Sequence, residues 1–133
     1  MTSVCTHLMF QSGKAQAALD LYISVFPGFT VVSIEKYGPD DDTPGLIKIA
    51  KIDFDGHPLI VIDSPIPHGF EFTPSVSLFV DFDEAADLDR AFERLADGGE
   101  VKMPLDDYGF SPRFGWLTDE FGVSWQLNQP KAQ

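Results

Sequence analysis

Residues 114–128 read FGWLTDEFGVSWQLN, and this stretch decides the fold. Residues 114–118 and 123–128 are rich in β-branched and aromatic side chains, and Phe121–Gly122 lies between them as a turn signal. The stretch therefore predicts a β-hairpin near the end of the chain.

A second hairpin is predicted in the first half of the chain, from residues 46–54 and 58–63. It turns at Asp55–Gly56, and Gly56 precedes the turn glycine of the other hairpin by 66 residues. Such a spacing indicates an internal repeat.

Each hairpin follows the same predicted elements. The first hairpin is preceded by a strand at 4–10, a helix with apolar residues from Ala15 to Phe26 and a strand at 29–37. The second hairpin is preceded by a strand at 76–82, a helix with apolar residues from Ala85 to Leu95 and a short strand at 100–103. Asp81 and Glu84 are predicted to form a capping-box variant before the second helix. Residues 104–112 are predicted to be a loop.

The predicted fold class is therefore α+β, built from two βαβββ modules within a single domain over residues 1–133. Module 1 spans about 3–63, and module 2 spans about 75–129. Residues 64–74 contain three prolines and one glycine and are predicted to be the linker.

Composition excludes several classes of function. Nine basic and 21 acidic residues give a net charge of −12, which argues against binding to nucleic acid or to an anionic membrane. No apolar run is long enough to span a bilayer and no leader is expected. A single cysteine, Cys5, allows no intrachain disulfide. A cytoplasmic protein is expected.

Alternation along the strands places polar side chains on the sheet faces opposite the predicted helices. The polar members are His7 on the first strand, Ser75 and Ser77 on the fifth, and Ser124, Gln126 and Asn128 on the last. A few polar groups among apolar ones are typical of a small-molecule site. They equally suit a filled interior with satisfied polar groups.

Three stretches resemble one family: HLMF at 7–10, LYISVFP at 21–27 and FGWLTDEFGVSWQL at 114–127. They look like the PhnB-like branch of the glyoxalase/bleomycin-resistance/extradiol-dioxygenase (vicinal oxygen chelate) superfamily. The resemblance implies the fold of that superfamily, with paired βαβββ modules that often form homodimers. Members of this branch often carry the description 3-demethylubiquinone-9 3-methyltransferase. No predicted strand precedes a Gly-rich turn that could cradle S-adenosylmethionine.

The resemblance also implies a divalent metal held by His and Glu on the inner strand faces. The matching positions in this sequence are His7, Ile60, Ser75 and Gln126. Only His7 carries a good ligand, whereas a catalytic metal needs about three. We therefore predict an incomplete metal site and no cofactor.

The aromatic-rich segment before the last hairpin adds candidates to this set, because such loops often cover a binding site. Arg113 is a candidate for an anionic ligand group, although a surface ion pair is its commoner fate. The predicted ligand-binding residues are His7, Ser75, Ser77, Gln126, Tyr108, Arg113 and Trp116.

The leading functional hypothesis is a small-molecule-binding protein without a complete metal site, with catalysis undecided. One alternative is a metal-dependent lyase or dioxygenase of the vicinal oxygen chelate type, in which His7 contributes to a partial site. Another is a drug-sequestering protein similar to bleomycin-resistance proteins. A homodimer is expected, and residues 64–74 could allow it to be domain-swapped.

Overall fold

The structure, a computed structural model, describes residues 1–132 of the chain. It divides into two compact units, one of residues Met1–Gly69 and one from Phe70 onward. The boundary falls inside the segment 64–74. Each unit contains a strand, a helix and three further strands in that order, so the α+β fold class and the two βαβββ modules are confirmed.

The first unit is a four-stranded sheet covered on one side by a helix. Its elements are β1 (Thr6–Phe10), α1 (Ala15–Val25), β2 (Phe29–Lys36), β3 (Ile47–Phe54) and β4 (His57–Asp63). The sheet order is β1-β4-β3-β2. Strands β1 and β4 are parallel, and the other neighbours are antiparallel.

Apolar side chains from α1 and from one side of this sheet form the core of the first unit. Tyr22 of α1 meets Phe29 edge to face, with 5.6 Å between ring centroids. Phe26, just after the helix, lies 4.9 Å from Phe54 by the same measure. Leu59 and Val61 of β4 point to the same side and are buried. The opposite side of the sheet, which we call its helix-free face, carries the alternate residues.

The second unit repeats this plan. Its elements are β5 (Ser77–Asp81), α2 (Ala85–Ala96), β6 (Glu100–Asp106), β7 (Arg113–Thr118) and β8 (Ser124–Gln129). The sheet order is β5-β8-β7-β6, again with the first and last strands parallel. On the helix side Leu88 and Leu95 of α2 are buried with Trp125 and Leu127 of β8.

The surroundings of Gly115 show which side of the second sheet α2 covers. A Cβ atom at this position would lie 2.5 Å from Cε2 of Phe92 on α2. The alternate residues of β7, Phe114, Trp116 and Thr118, therefore point to the helix-free face of the second sheet.

Two local predictions were wrong. The predicted short strand at 100–103 continues to Asp106 and includes Pro104, because β6 is an edge strand where a missing N–H removes no ladder bond. The capping box is absent: Glu84 is the N-cap and makes no side-chain cap bond. Asp81 instead ends β5 and accepts a hydrogen bond from Asn128.

Candidate functional site

Strand register arranges the helix-free face of the second sheet into three rows that each cross β5, β8, β7 and β6. The hydroxyl row is Ser77, Ser124, Thr118 and Glu100; the amide row is Phe79, Gln126, Trp116 and Met103; the acidic row is Asp81, Asn128, Phe114 and Asp106. Three of the residues predicted to bind a ligand, Ser77, Gln126 and Trp116, therefore share one face.

Side-chain hydrogen bonds connect these three residues through Ser124. The Ser77 and Ser124 hydroxyl oxygens are 2.6 Å apart. Trp116 Nε1 donates to Ser124 Oγ at 2.8 Å, and Gln126 Nε2 donates to Ser77 Oγ at 3.3 Å. Ser124 is 2% exposed, so the network is anchored at a buried hydroxyl. Such a network holds its outer members in fixed positions.

The Gln126 amide keeps hydrogen-bonding capacity beyond this network. Its Nε2 is engaged by Ser77, and within residues 1–132 its Oε1 has no hydrogen-bond donor. Gln126 is half-buried. An amide oxygen with two lone pairs on a held side chain is a preorganised acceptor for a ligand N–H or O–H.

Three aromatic rings surround Phe114 of the acidic row, and one of them, Phe79, belongs to the amide row. Phe110 lies 4.9 Å from Phe114 and Tyr108 lies 6.0 Å from it, both edge to face; Phe79 lies 6.2 Å from it. Phe114 is buried, whereas Phe79 and Phe110 are each 55% exposed. The Tyr108 hydroxyl donates to the Pro104 carbonyl at 2.6 Å, which ties the loop to β6. The rings offer an exposed apolar surface for a planar group.

The remaining predicted residues of the second unit lie elsewhere. Ser75 is exposed in the turn before β5, where its hydroxyl is 2.7 Å from that of Thr73. Arg113 begins β7 and points to the helix side, where its Nε donates to Asp89 Oδ1 of α2 at 2.5 Å. Neither residue is brought to the three rows.

His7 belongs to the first unit, on the helix-free face of its sheet. It is exposed and stands opposite Ile60 in the β1–β4 register. In the second unit the same parallel pairing places Phe79 opposite Gln126. The repeat therefore makes Phe79 the fifth-strand counterpart of His7, a position that sequence reasoning gave to Ser75.

The residues at these positions do not fit the metal implied by the fold family. Together they offer one imidazole, from His7, and one neutral amide, from Gln126. Ile60 and Phe79 have no donor atom. Within residues 1–132, no three His, Cys, Asp or Glu side chains are grouped so that they could hold a metal ion.

The predicted ligand-binding set omitted several residues of this face. Ser124, Asn128 and Phe114 are buried members of the three rows, and Phe110 supplies an exposed ring. The alternation along β8 placed Ser124 and Asn128 on this face, but their burial and their partners on β5 appear only in the structure. Nothing in the sequence aligns Asp81 with Asn128, because that pairing depends on the register between distant strands.

Neither α1 nor α2, the two helices of the described residues, has the length and apolar character needed to cross a membrane.

One family of known proteins matches nearly the whole chain. A family model described as 3-demethylubiquinone-9 3-methyltransferase matches residues 2–128. A protein of solved structure, described as a putative 3-demethylubiquinone-9 3-methyltransferase, PhnB protein, from Bacillus cereus, is 40% identical in sequence. The comparison has a TM-score of 0.90 and covers 96% of this chain and 99% of that one.

Two further relatives are more distant. The protein YjdN of Escherichia coli is 30% identical over 74 residues, which are 56% of this chain and 50% of YjdN; the chain thus spans half the length of that curated relative. The fosfomycin resistance protein FosX of Listeria monocytogenes is 14% identical with a TM-score of 0.67, over 98% of this chain and 94% of FosX, which shows a shared fold. The chain belongs to the 3-demethylubiquinone-9 3-methyltransferase family and has the glyoxalase/bleomycin-resistance fold.

Proposed function

We propose that this protein binds a small planar organic molecule on the helix-free face of its second sheet, without a metal ion. The observation that carries the proposal is the position of Gln126: its amide is held by Ser77, and the residue lies opposite the exposed Phe79 in the sheet register. A few fixed polar groups among aromatic surfaces are the usual composition of a small-molecule site.

The aromatic side chains give the ligand its shape. Phe79 and Phe110 each expose more than half of their surface, and a planar molecule gains stacking and apolar burial against them. Gln126 Oε1 then fixes its orientation by accepting a hydrogen bond. The Trp116 ring edge is tied to Ser124, so it supports the site as a rigid wall.

Metal-independent binding is supported by the donor set. One imidazole and one neutral amide do not supply the three His or carboxylate ligands of a catalytic divalent site. No step of the proposed function therefore depends on a metal ion.

Methyl transfer, the reaction in the family description, is not part of the proposal, and neither is binding of S-adenosylmethionine. The turn from β1 to α1 contains one glycine, Gly13, and is not Gly-rich. The first backbone amide of α1, at Ala15, is already bonded to the Asp63 carboxylate at 2.9 Å. This helix start is thus occupied by the chain's own anion and is not open to a cofactor carboxylate or ribose.

The first test is a fragment screen of planar aromatic amides and lactams, read by protein-observed NMR. We expect hits to shift the resonances of Gln126 and Trp116. Gln126→Leu should weaken these hits about tenfold, the effect of losing one hydrogen bond of about 1.4 kcal/mol.

Gln129→Leu is the matched control, because Gln129 lies on the same strand but bonds to the Asp83 carbonyl, outside the three rows. The hits should keep their affinity for this variant. The proposal fails if no fragment shifts the Gln126 and Trp116 resonances or if both variants weaken binding equally.

A second test addresses the metal. After dialysis against Zn²⁺, Mn²⁺ or Ni²⁺ and removal of excess ion, elemental analysis should find far less than one metal ion per chain. One chelator-removable ion per chain would overturn metal-independent binding and favour the alternative in which His7 belongs to a metal site.

We further propose that the protein is a cytoplasmic homodimer. The support is the resemblance of residues 7–10 and 114–127 to a family whose members often form homodimers, together with the acidic composition and the single cysteine.

A further inference from the structure

The acidic row of the second sheet consists of two carboxylates, one amide and one aromatic ring. Asp81, Asn128, Phe114 and Asp106 stand side by side in the register. Asp81 and Asp106 are exposed carboxylates at its two ends, and the Asp106 carboxylate already accepts the backbone amide of Asp107. The row therefore carries a carboxylate at each edge of the helix-free face.

Asn128, the neighbour of Asp81 in this row, has a buried side-chain oxygen without a hydrogen-bond donor among the described residues. It is only 7% exposed, and its Nδ2 donates to Asp81 Oδ1 at 2.8 Å. That bond to a carboxylate fixes the orientation of the amide, because the opposite orientation would set two oxygens against each other. The Asn128 Oδ1 atom is buried and has no hydrogen-bond donor within residues 1–132.

An unsatisfied buried carbonyl costs about 1 to 3 kcal/mol. Native structures hold few such groups, and each calls for an explanation. A ligand N–H would supply the missing donor. Phe114 lies opposite Asn128 in the register and is buried, but the two rings beside Phe114, Phe79 and Phe110, are more than half exposed and can move as a ligand enters.

The aromatic rings favour the same ligand chemistry as the carboxylates. Their π faces carry partial negative charge, which attracts cations. The basic residues of β6 and β7, the strands that carry Asp106 and Phe114, are already paired. Lys102 pairs with Glu100 at 3.0 Å, and Arg113 pairs with Asp89 on the helix side at 2.5 Å. Each of these two positive charges is therefore paired with a carboxylate outside the acidic row.

We propose that the ligand is a planar aromatic cation with N–H donors, such as an amidinium or a protonated amino-heterocycle. Its ring lies against Phe79 and Phe110, its charged group faces Asp81, and one N–H donates to Asn128 Oδ1. This inference rests on the proposed function and narrows its ligand class, because the carboxylates of the acidic row favour a cation over a neutral or anionic ligand.

The test uses three probes of nearly equal size and shape: benzamidine, benzamide and benzoate, which are cationic, neutral and anionic. Affinities are measured by NMR titration of the full chain in low salt. We expect benzamidine to bind about tenfold more tightly than benzamide and benzoate not to bind. Raising the salt concentration should weaken benzamidine and leave benzamide unchanged, because screening acts on the charged probe alone.

Asp81→Asn should reduce the preference for benzamidine to within about twofold of benzamide. Asp83→Asn is the matched control: it changes the net charge equally, and Asp83 is exposed and lies beyond the end of β5. It should keep the tenfold preference.

The inference is overturned if benzamidine binds no better than benzamide, if benzoate binds best, or if the two Asp variants behave alike. The proposed function survives such a result when benzamide and benzamidine both bind and both weaken in Gln126→Leu. If neither probe binds and the fragment screen is also negative, the inference and the proposed function fall together.

Discussion

Asp63 illustrates how a single buried carboxylate organises the first unit. It is fully buried at the end of β4, and its two oxygens accept backbone amides from two different elements. Oδ1 accepts from Ala15 at the start of α1, and Oδ2 accepts from Ile47 at the start of β3, each at 2.9 Å. The residue thereby satisfies a helix N-terminus and fixes the position of the helix on the sheet.

Asp63→Asn should therefore destabilise the protein by about 2 to 3 kcal/mol, because a charged acceptor is lost and an amide N–H is set against a backbone donor. Urea unfolding monitored by circular dichroism measures the change. The exposed Asp53 of β3 provides the control, and Asp53→Asn should change stability by less than about 0.5 kcal/mol. Equal effects of the two substitutions would contradict the structural role given to Asp63.

At the level of elements, the alternation of residues predicted more than the boundaries did. The period of two along the strands and the apolar stripes of the helices were enough for the order of elements and for the face that α1 and α2 cover. The end of β6 was missed because proline normally argues against a strand, and only the sheet order reveals that Pro104 lies on an edge.

For the candidate site, the sequence likewise predicted the sheet face of several residues but not their neighbours on other strands. Alternation placed Ser77 and Gln126 on a common face, but the partner of each residue depends on register between distant strands. Phe79 opposite Gln126 and Asp81 opposite Asn128 are examples. The paired state of Arg113 was equally hidden, because it depends on a carboxylate that α2 brings to β7.

The contact between α2 and β7 requires glycine at position 115. A Cβ there would lie 2.5 Å from Phe92 Cε2 and 2.8 Å from Leu105 Cδ2, so Gly115→Ala forces the helix or these side chains to shift. We expect a loss of about 1 to 3 kcal/mol in the free energy of unfolding, the usual cost of overpacking.

Gly69→Ala is the comparison for this substitution. A Cβ atom at Gly69 would meet no atom within 4 Å, and the residue is exposed, so its substitution should leave the denaturation midpoint nearly unchanged. A Gly115→Ala protein as stable as the wild type would show that α2 does not pack closely on β7.

For the whole molecule, the net charge of −12 is a source of self-repulsion. Added salt screens that repulsion, so the melting temperature should rise as NaCl increases from low concentration to about 0.15 M, where the Debye length is about 8 Å. Calorimetry measures the rise, and KCl at equal ionic strength should give the same curve. A melting temperature that falls with salt would mean that attractive ion pairs outweigh the repulsion.

The oligomeric state is a second prediction at this scale. Size-exclusion chromatography with light scattering should give twice the mass of one chain for the proposed homodimer. The measurement should be repeated at several protein concentrations, because dissociation on dilution distinguishes a weak dimer from a permanent one. A mass equal to one chain at every concentration would rule out the dimer.

The two tryptophans of the hairpin have a spectroscopic consequence. Trp125 is fully buried on the helix side and donates to Asp119 Oδ2 at 2.9 Å, whereas Trp116 is half-buried on the helix-free face. Emission from Trp125 should therefore report on unfolding, and emission from Trp116 on events at the sheet surface. In a Trp116→Phe protein, quenching by a titrated probe should disappear while the fluorescence change on denaturation persists. Trp116 would then report ligand binding, and Trp125 would report whether the second unit is folded.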